Sequence, residues 1–99
     1  MRAVICGANG AMGRILQSKI PGNIAGLVSL DGENGVPKTF NELGKVEADV
    51  IVDFSHHSAV ADVLANACAL GCAAVIGTTG HTREEKELIF EAAEQIPVF

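Results

Sequence analysis

The turn Gly7-Ala8-Asn9-Gly10-Ala11-Met12-Gly13 constrains this chain more than any other stretch, because of its neighbours. Before it runs Arg2-Ala3-Val4-Ile5-Cys6, an apolar segment that reads as a buried strand, and after it Met12, Ile15, Leu16 and Ile20 recur at helical spacing. Strand, glycine turn and helix, in that order, set backbone N–H groups at a helix N-terminus where they can cradle a pyrophosphate. Glycines at 7, 10 and 13 permit a tight turn, close approach of a phosphate and close packing of helix on strand. Gly10 and Gly13 match the last two glycines of the GxGxxG dinucleotide fingerprint, with Ala8 at the position of the first. By itself such a turn also joins strands to helices that bind nothing.

The next segment adds weight. A second apolar run, Ala25 to Leu30, leads into Asp31, which lies 18 residues after Gly13. An acid about 20 positions beyond the glycines, at the end of the second strand, is where a nucleotide ribose is held by its hydroxyls. Asp31 also opens the turn Asp31-Gly32-Glu33-Asn34-Gly35, and aspartate favours turns without any ligand. Together with the glycines, ribose binding is the favoured reading.

The rest of the chain continues the alternation. The reading is strand 2–6, helix 11–20, strand 25–30, a short edge strand at best near Val36-Pro37, and a turn of helix at 40–44 capped by Thr39 with Glu42. A third strand, 49–54, precedes helix 58–70, with Ser58 as candidate N-cap and Gly71 as the stop. Strand 72–76, a helix near 83–94 opened by the capping box Thr82/Glu85, and a short strand at 97–99 complete it. Apolar strands alternating with helices predict an α/β fold, a doubly wound parallel sheet with helices on both faces. The expected strand order is 3-2-1-4-5-6, with ligands at the carboxyl ends of the strands. Ninety-nine residues make one domain, expected to bind a dinucleotide and small for a complete dehydrogenase.

A net charge of −5 argues against a nucleic-acid or anionic-membrane surface. No apolar run approaches the ~20 residues of a membrane span, so a cytoplasmic protein is expected. The three cysteines, Cys6, Cys68 and Cys72, sit in apolar segments and read as small buried thiols rather than metal ligands.

Two further loops should meet the glycine turn. Asp53-Phe54-Ser55-His56-His57 leaves the third strand; Phe54 could lie against a flat ring and Ser55 could donate to it. His56 and His57 have no acidic or thiol neighbour at ligand spacing except Asp53, which disfavours a metal or catalytic pair. Gly77-Thr78-Thr79-Gly80 brackets two hydroxyls with two glycines after a buried strand and exposes backbone groups suited to a carboxamide.

Taken together, Gly7 to Gly13, Asp53-Phe54-Ser55, Val75-Ile76-Gly77-Thr78-Thr79-Gly80 and Ile96-Pro97-Val98 resemble the N-terminal domain of the dihydrodipicolinate reductases across essentially the whole chain. The resemblance implies a Rossmann-like domain serving reduction of a cyclic dihydrodipicolinate precursor by NADH or NADPH on the route to diaminopimelate and lysine. It implies pyrophosphate contacts at Gly7, Ala8, Asn9, Gly10, Ala11 and Met12, a ribose contact at Asp31, and nicotinamide contacts at Phe54, Gly77, Thr78 and Thr79. It places substrate binding and proton transfer in a second domain, so residues 1–99 are expected to bind cofactor without turnover; the full-length protein could be a homo-oligomer. Three departures stand out. Ala11 replaces a common Arg, His57 and Ser58 stand near a usual Pro, and Gly32-Glu33 follow Asp31 where NADPH users often carry a base. With no Lys or Arg next to Asp31, NADH is favoured over NADPH. The alternatives are another dehydrogenase of the homoserine or aspartate type, and a stand-alone nucleotide sensor.

Overall fold

The computed structural model describes all of residues 1–99. Strands β1 (Ala3–Cys6), β2 (Ile24–Val28), β3 (Val50–Asp53) and β4 (Ala73–Ile76) alternate with helices α1 (Ala11–Lys19), α2 (Phe40–Leu43), α3 (Val60–Leu70) and α4 (Arg83–Ala93). The strands form one sheet, order β2-β1-β3-β4, parallel throughout. The chain winds outward from β1 in both directions, and right-handed crossovers then place helices on opposite faces. Alternation along β1 sends Val4 and Cys6 to the face covered by α3, where they join Ile51, Val63, Leu64 and Ala67 in the main core. Ile5, fully buried, points to the opposite face.

This is the expected α/β sheet with one position vacated. No strand forms at Val36-Pro37: only Ser29 N–H reaches across, donating to the Pro37 carbonyl at 2.9 Å. That leaves β2 as an edge strand, and its residues are mostly half-buried rather than buried. On the other edge, Val98 bridges Ala74 in parallel, and three backbone hydrogen bonds join residues 97–99 to β4: Ala74 N–H to Pro97 O at 2.9 Å, Phe99 N–H to Ala74 O at 2.9 Å and Ile76 N–H to Phe99 O at 2.8 Å.

Boundaries shift where partners run out. The second strand ends at Val28, not Leu30, because its partner β1 ends at Cys6, after which Gly7 turns away with φ +79°. The expected N-cap Ser58 is instead inside a 3₁₀ turn, His57–Ala59, whose cap is His56; the His56 ring nitrogen accepts from Ser58 N–H at 3.3 Å, and α3 proper begins only at Val60. Thr39 caps α2 as expected, accepting from Glu42 N–H at 3.2 Å, yet Glu42 turns its carboxylate to Lys38 N–H, leaving half a capping box. Thr82 and Glu85 close a complete one. Gly71, left-handed at φ +67°, stops α3 as the sequence predicts.

Candidate functional site

Four loops leave the carboxyl ends of the four strands and meet. The contact between the first and third is made possible by Gly7: a Cβ there would stand 2.7 Å from the backbone of Phe54. Gly77 does the same for the third and fourth, since a Cβ would fall 2.4 Å from the Phe54 ring, which lies half-buried across it. The first and second are tied by Asn9, whose amide donates to Asp31 Oδ1 at 2.8 Å and to the Glu33 carbonyl at 2.9 Å. The structure therefore brings Gly7, Ala8, Asn9, Asp31, Phe54 and Gly77 into one loop cluster.

The three glycines of the first turn do different work. Gly7 is left-handed, a conformation that favours glycine. Gly13, inside α1, lets the helix lie on the turn: a Cβ would be 2.2 Å from the Gly7 carbonyl oxygen. Gly10 is the N-cap of α1 in ordinary extended backbone, and a Cβ there would meet only the Gly7 oxygen, at 3.3 Å. Apart from that oxygen the space around it is open.

Donors are abundant at that open side. Gly7 and Ala8 spend their N–H groups on the Val28 carbonyl, Gly10 on Gly7, and Arg14 on Gly10. The N–H groups of Ala11, Met12 and Gly13 donate to nothing in the chain, and α1 has neither a side-chain cap nor an acidic residue in its first turn. Three unspent donors at the positive end of a helix dipole suit an anion, and Met12 and Ala11 are exposed around them. The residues present fit a pyrophosphate.

Asp31 sits past the end of β2, exposed, with Oδ1 accepting from Asn9 and from Glu33 N–H at 3.0 Å. Those hydrogen bonds, Asn9 first, hold its carboxyl below the usual carboxylate range. Turn-forming and ligand-binding roles are thus compatible here: one oxygen shapes the turn while Oδ2 stays open to a hydroxyl donor. Nearby, a cavity of about 270 Å³ bordered by Gly7, Ser29, Lys38, Ser55 and Asp62 opens between the ends of β1 and β2 and helix α3; of the expected cofactor residues only Gly7 lines it.

At the other end, Gly77 N–H bonds the Asp53 carbonyl at 2.8 Å, and beyond it the Thr78, Thr79 and Gly80 amides donate to no group of the chain. Thr78 is half-buried and its hydroxyl pairs with His81 Nε2 at 2.8 Å; Thr79 is exposed. Ser55 does not point toward a ring above Phe54: its N–H and hydroxyl both donate to Asp53 Oδ1. Asp53 is fully buried with Oδ2 unpartnered, and burial together with its charge pushes the neighbouring Cys6 thiol well above the ordinary thiol range. All three cysteines are free.

The sequence reading missed a latch beneath these loops. His57 Nδ1 meets Glu85 Oε1 at 2.7 Å, and the same oxygen accepts from Thr82 N–H at 2.7 Å, so one carboxylate ties the loop after β3 to the start of α4. His56 packs on His57 with ring centroids 4.3 Å apart. His57 thus has a structural partner 28 residues away, a distance no local spacing rule covers.

A parallel sheet wound in both directions from its first strand, with a glycine turn and open helix N-terminus at the switch point, defines a Rossmann-like nucleotide-binding domain. Residues 1–99 match the family described as dihydrodipicolinate reductase, N-terminus, and the chain belongs to that family. Similar proteins include the 4-hydroxy-tetrahydrodipicolinate reductases of Akkermansia muciniphila (37% identical, covering 96% of this chain and 37% of that protein) and Caldanaerobacter subterraneus subsp. tengcongensis (34%, 100% and 42%). That of Alkaliphilus metalliredigens is 36% identical over 99% of this chain and 40% of its own length. The chain spans about two fifths of the length of these relatives. No helix is long and apolar enough to cross a membrane.

Proposed function

We propose that residues 1–99 are the cofactor-binding domain of a 4-hydroxy-tetrahydrodipicolinate reductase, holding NADH or NADPH and serving a substrate bound by residues outside this chain. The observation that carries the reading is the trio of unspent N–H groups at Ala11, Met12 and Gly13, set beside a glycine, Gly10, that leaves them uncovered. In this reading they hold the pyrophosphate, with Gly7, Ala8 and Asn9 shaping the turn. Asp31 Oδ2 accepts from the adenosine ribose. Phe54 supports the nicotinamide end, where Gly77, Thr78 and Thr79 offer backbone and hydroxyl partners to the carboxamide. A reduced nicotinamide supplies hydride; this chain binds and orients it and contributes no proton donor of its own to the substrate.

The test is calorimetric titration of the chain with NADH and NADPH, alongside an assay for oxidation of either in the presence of the dihydrodipicolinate precursor. Binding without enzyme-dependent turnover is expected. Failure to bind either cofactor, or robust turnover by these residues alone, overturns the two-domain reading.

A further inference from the structure

The expectation that NADH is favoured rests on there being no cation next to Asp31 in sequence, and the fold lays a lysine stem across Gly32, the residue that follows it. Lys38 lies seven residues downstream, yet its backbone is drawn alongside the end of β2: the preceding Pro37 carbonyl accepts from Ser29 N–H at 2.9 Å, and Lys38 N–H donates to Glu42 Oε2 at 2.8 Å. Held there, its side chain crosses Gly32. A Cβ on Gly32 would fall 2.6 Å from Lys38 Cε and 3.1 Å from its Cγ. Gly32 is left-handed, at φ +64°, and without a side chain it leaves the lysine stem a path over the turn that begins at Asp31. Lys38 also borders the cavity that opens at Ser29 and Leu30.

Its ammonium makes no ion pair: the salt bridges in the chain are His57–Glu85 and Arg83–Glu87. A second unpaired cation, Arg14 on α1, faces the same turn closely enough to favour the charged form of Asp31. Around the turn, Asp31 and Glu33 are therefore matched by Lys38 and Arg14, with Glu42 engaged by the Lys38 backbone. A further phosphate dianion would not enter a field of unopposed negative charge.

Building on the cofactor-binding reading, we propose that Lys38 is a specificity-determining residue, supplying the cation for the 2′-phosphate of NADPH across the gap that Gly32 leaves open. Asp31 serves the unsubstituted ribose of NADH, and Lys38 serves the phosphorylated one, so the chain accepts both. A lysine makes a point-charge contact to phosphate without fixed fork geometry, which suits a site that must also work without it.

The test is titration of wild type, Lys38→Met and Lys38→Ala with NADH and NADPH at low and moderate salt. Methionine keeps most of the stem over Gly32 and removes only the charge. Lys38→Met should weaken NADPH binding about fivefold to tenfold, as for loss of a charge-assisted phosphate contact at an exposed site, while NADH affinity changes less than twofold. Wild-type affinity for NADPH should fall with salt more steeply than that for NADH, and the difference should shrink in Lys38→Met. Equal loss for both cofactors shows that Lys38 acts by packing, and no loss for either shows that it does not reach the site; each overturns the proposal while leaving cofactor binding intact. A wild type that binds neither cofactor overturns the underlying reading as well.

Discussion

Gly10 and Gly13 sit three residues apart in one turn, and the structure assigns them opposite liabilities, which a pair of variants can separate. Gly13→Ala places a methyl 2.2 Å from the Gly7 oxygen and 2.9 Å from Ala8 Cα, both backbone atoms that cannot rotate aside. Relief needs α1 to lift off the turn by roughly 1 Å, and overpacking of that kind costs about 1–3 kcal/mol, occasionally more. Alanine returns about 1 kcal/mol of helix propensity, so the net loss is on the order of 1 kcal/mol. For a domain of this size that lowers Tm by about 4–8 °C. Gly10→Val meets only the Gly7 oxygen, at 3.3 Å, in extended backbone that a β-branched residue adopts without strain. Its poorer N-cap propensity and its stiffer unfolded chain are each within about 1 kcal/mol and oppose one another, leaving apo stability nearly unchanged. Its isopropyl group, however, would occupy open space at the N-cap, next in the chain to the free N–H groups of Ala11 and Met12. Cofactor affinity should fall tenfold or more, about 1.4 kcal/mol. Differential scanning fluorimetry without ligand and calorimetry with NADH read the two effects on the same samples. If Gly10→Val binds as tightly as wild type while folded, the turn is only a structural connection and the phosphate site is elsewhere. If Gly13→Ala melts at the wild-type temperature, the helix is not packed on the turn as described.

Gly77→Ala drives a methyl into the Phe54 ring and should cost about 1 kcal/mol of apo stability as well as cofactor affinity; in a Phe54→Ala background the stability cost should fall to the smaller part set by the Asp53 carbonyl oxygen, 3.0 Å from that methyl, and fully additive effects in the double variant would contradict the contact. The Glu85 carboxyl is held below the ordinary glutamate range, chiefly by the Thr82 backbone N–H and also by His57. A depressed carboxyl contributes stability above its unfolded pKa, near pH 4, and loses it as pH falls through the folded value. The Tm difference between wild type and Glu85→Gln should therefore be present at pH 6 and shrink toward pH 3, whereas a difference constant with pH would mean that the latch owes nothing to that charge.

How far the sequence reaches can be seen strand by strand. Runs such as Val50-Ile51-Val52 are apolar on every position because a central parallel strand is covered on both faces, so period and composition alone identify them. Where covering is one-sided, the signal misleads: Ile24 to Val28 is as apolar as a central strand, yet the strand that would flank it does not form and most of it is half-exposed. Helix stops depend on a single residue's backbone and are legible, as Gly71 shows. Helix starts depend on which of several side chains wins a contested donor. At 56–60 that contest goes to His56, whose ring nitrogen takes the Ser58 N–H and pairs with the Ser58 hydroxyl, and α3 then opens at Val60 with no side-chain cap.

The same distinction governs the site. Gly7, Gly10 and Gly13 are legible because a turn between adjacent elements leaves its demands in consecutive residues, and Phe54 with Gly77 is partly so, each marking the end of its own strand. Legibility fails where a contact is made by the sheet order itself. His57 with Glu85 joins loops that only the parallel pairing of β3 and β4 brings side by side. Lys38 reaches Gly32 only because Ser29 hydrogen-bonds Pro37 and folds the intervening loop back on β2. Charge beside a ligand is read in sequence as charge next to a motif, but here the cation acting on Asp31 is Arg14, 17 positions before it, and the lysine that crosses Gly32 lies seven after the acid. A rule that looks only at the residue following the acid therefore sees Gly32 and misses the lysine stem that lies across it.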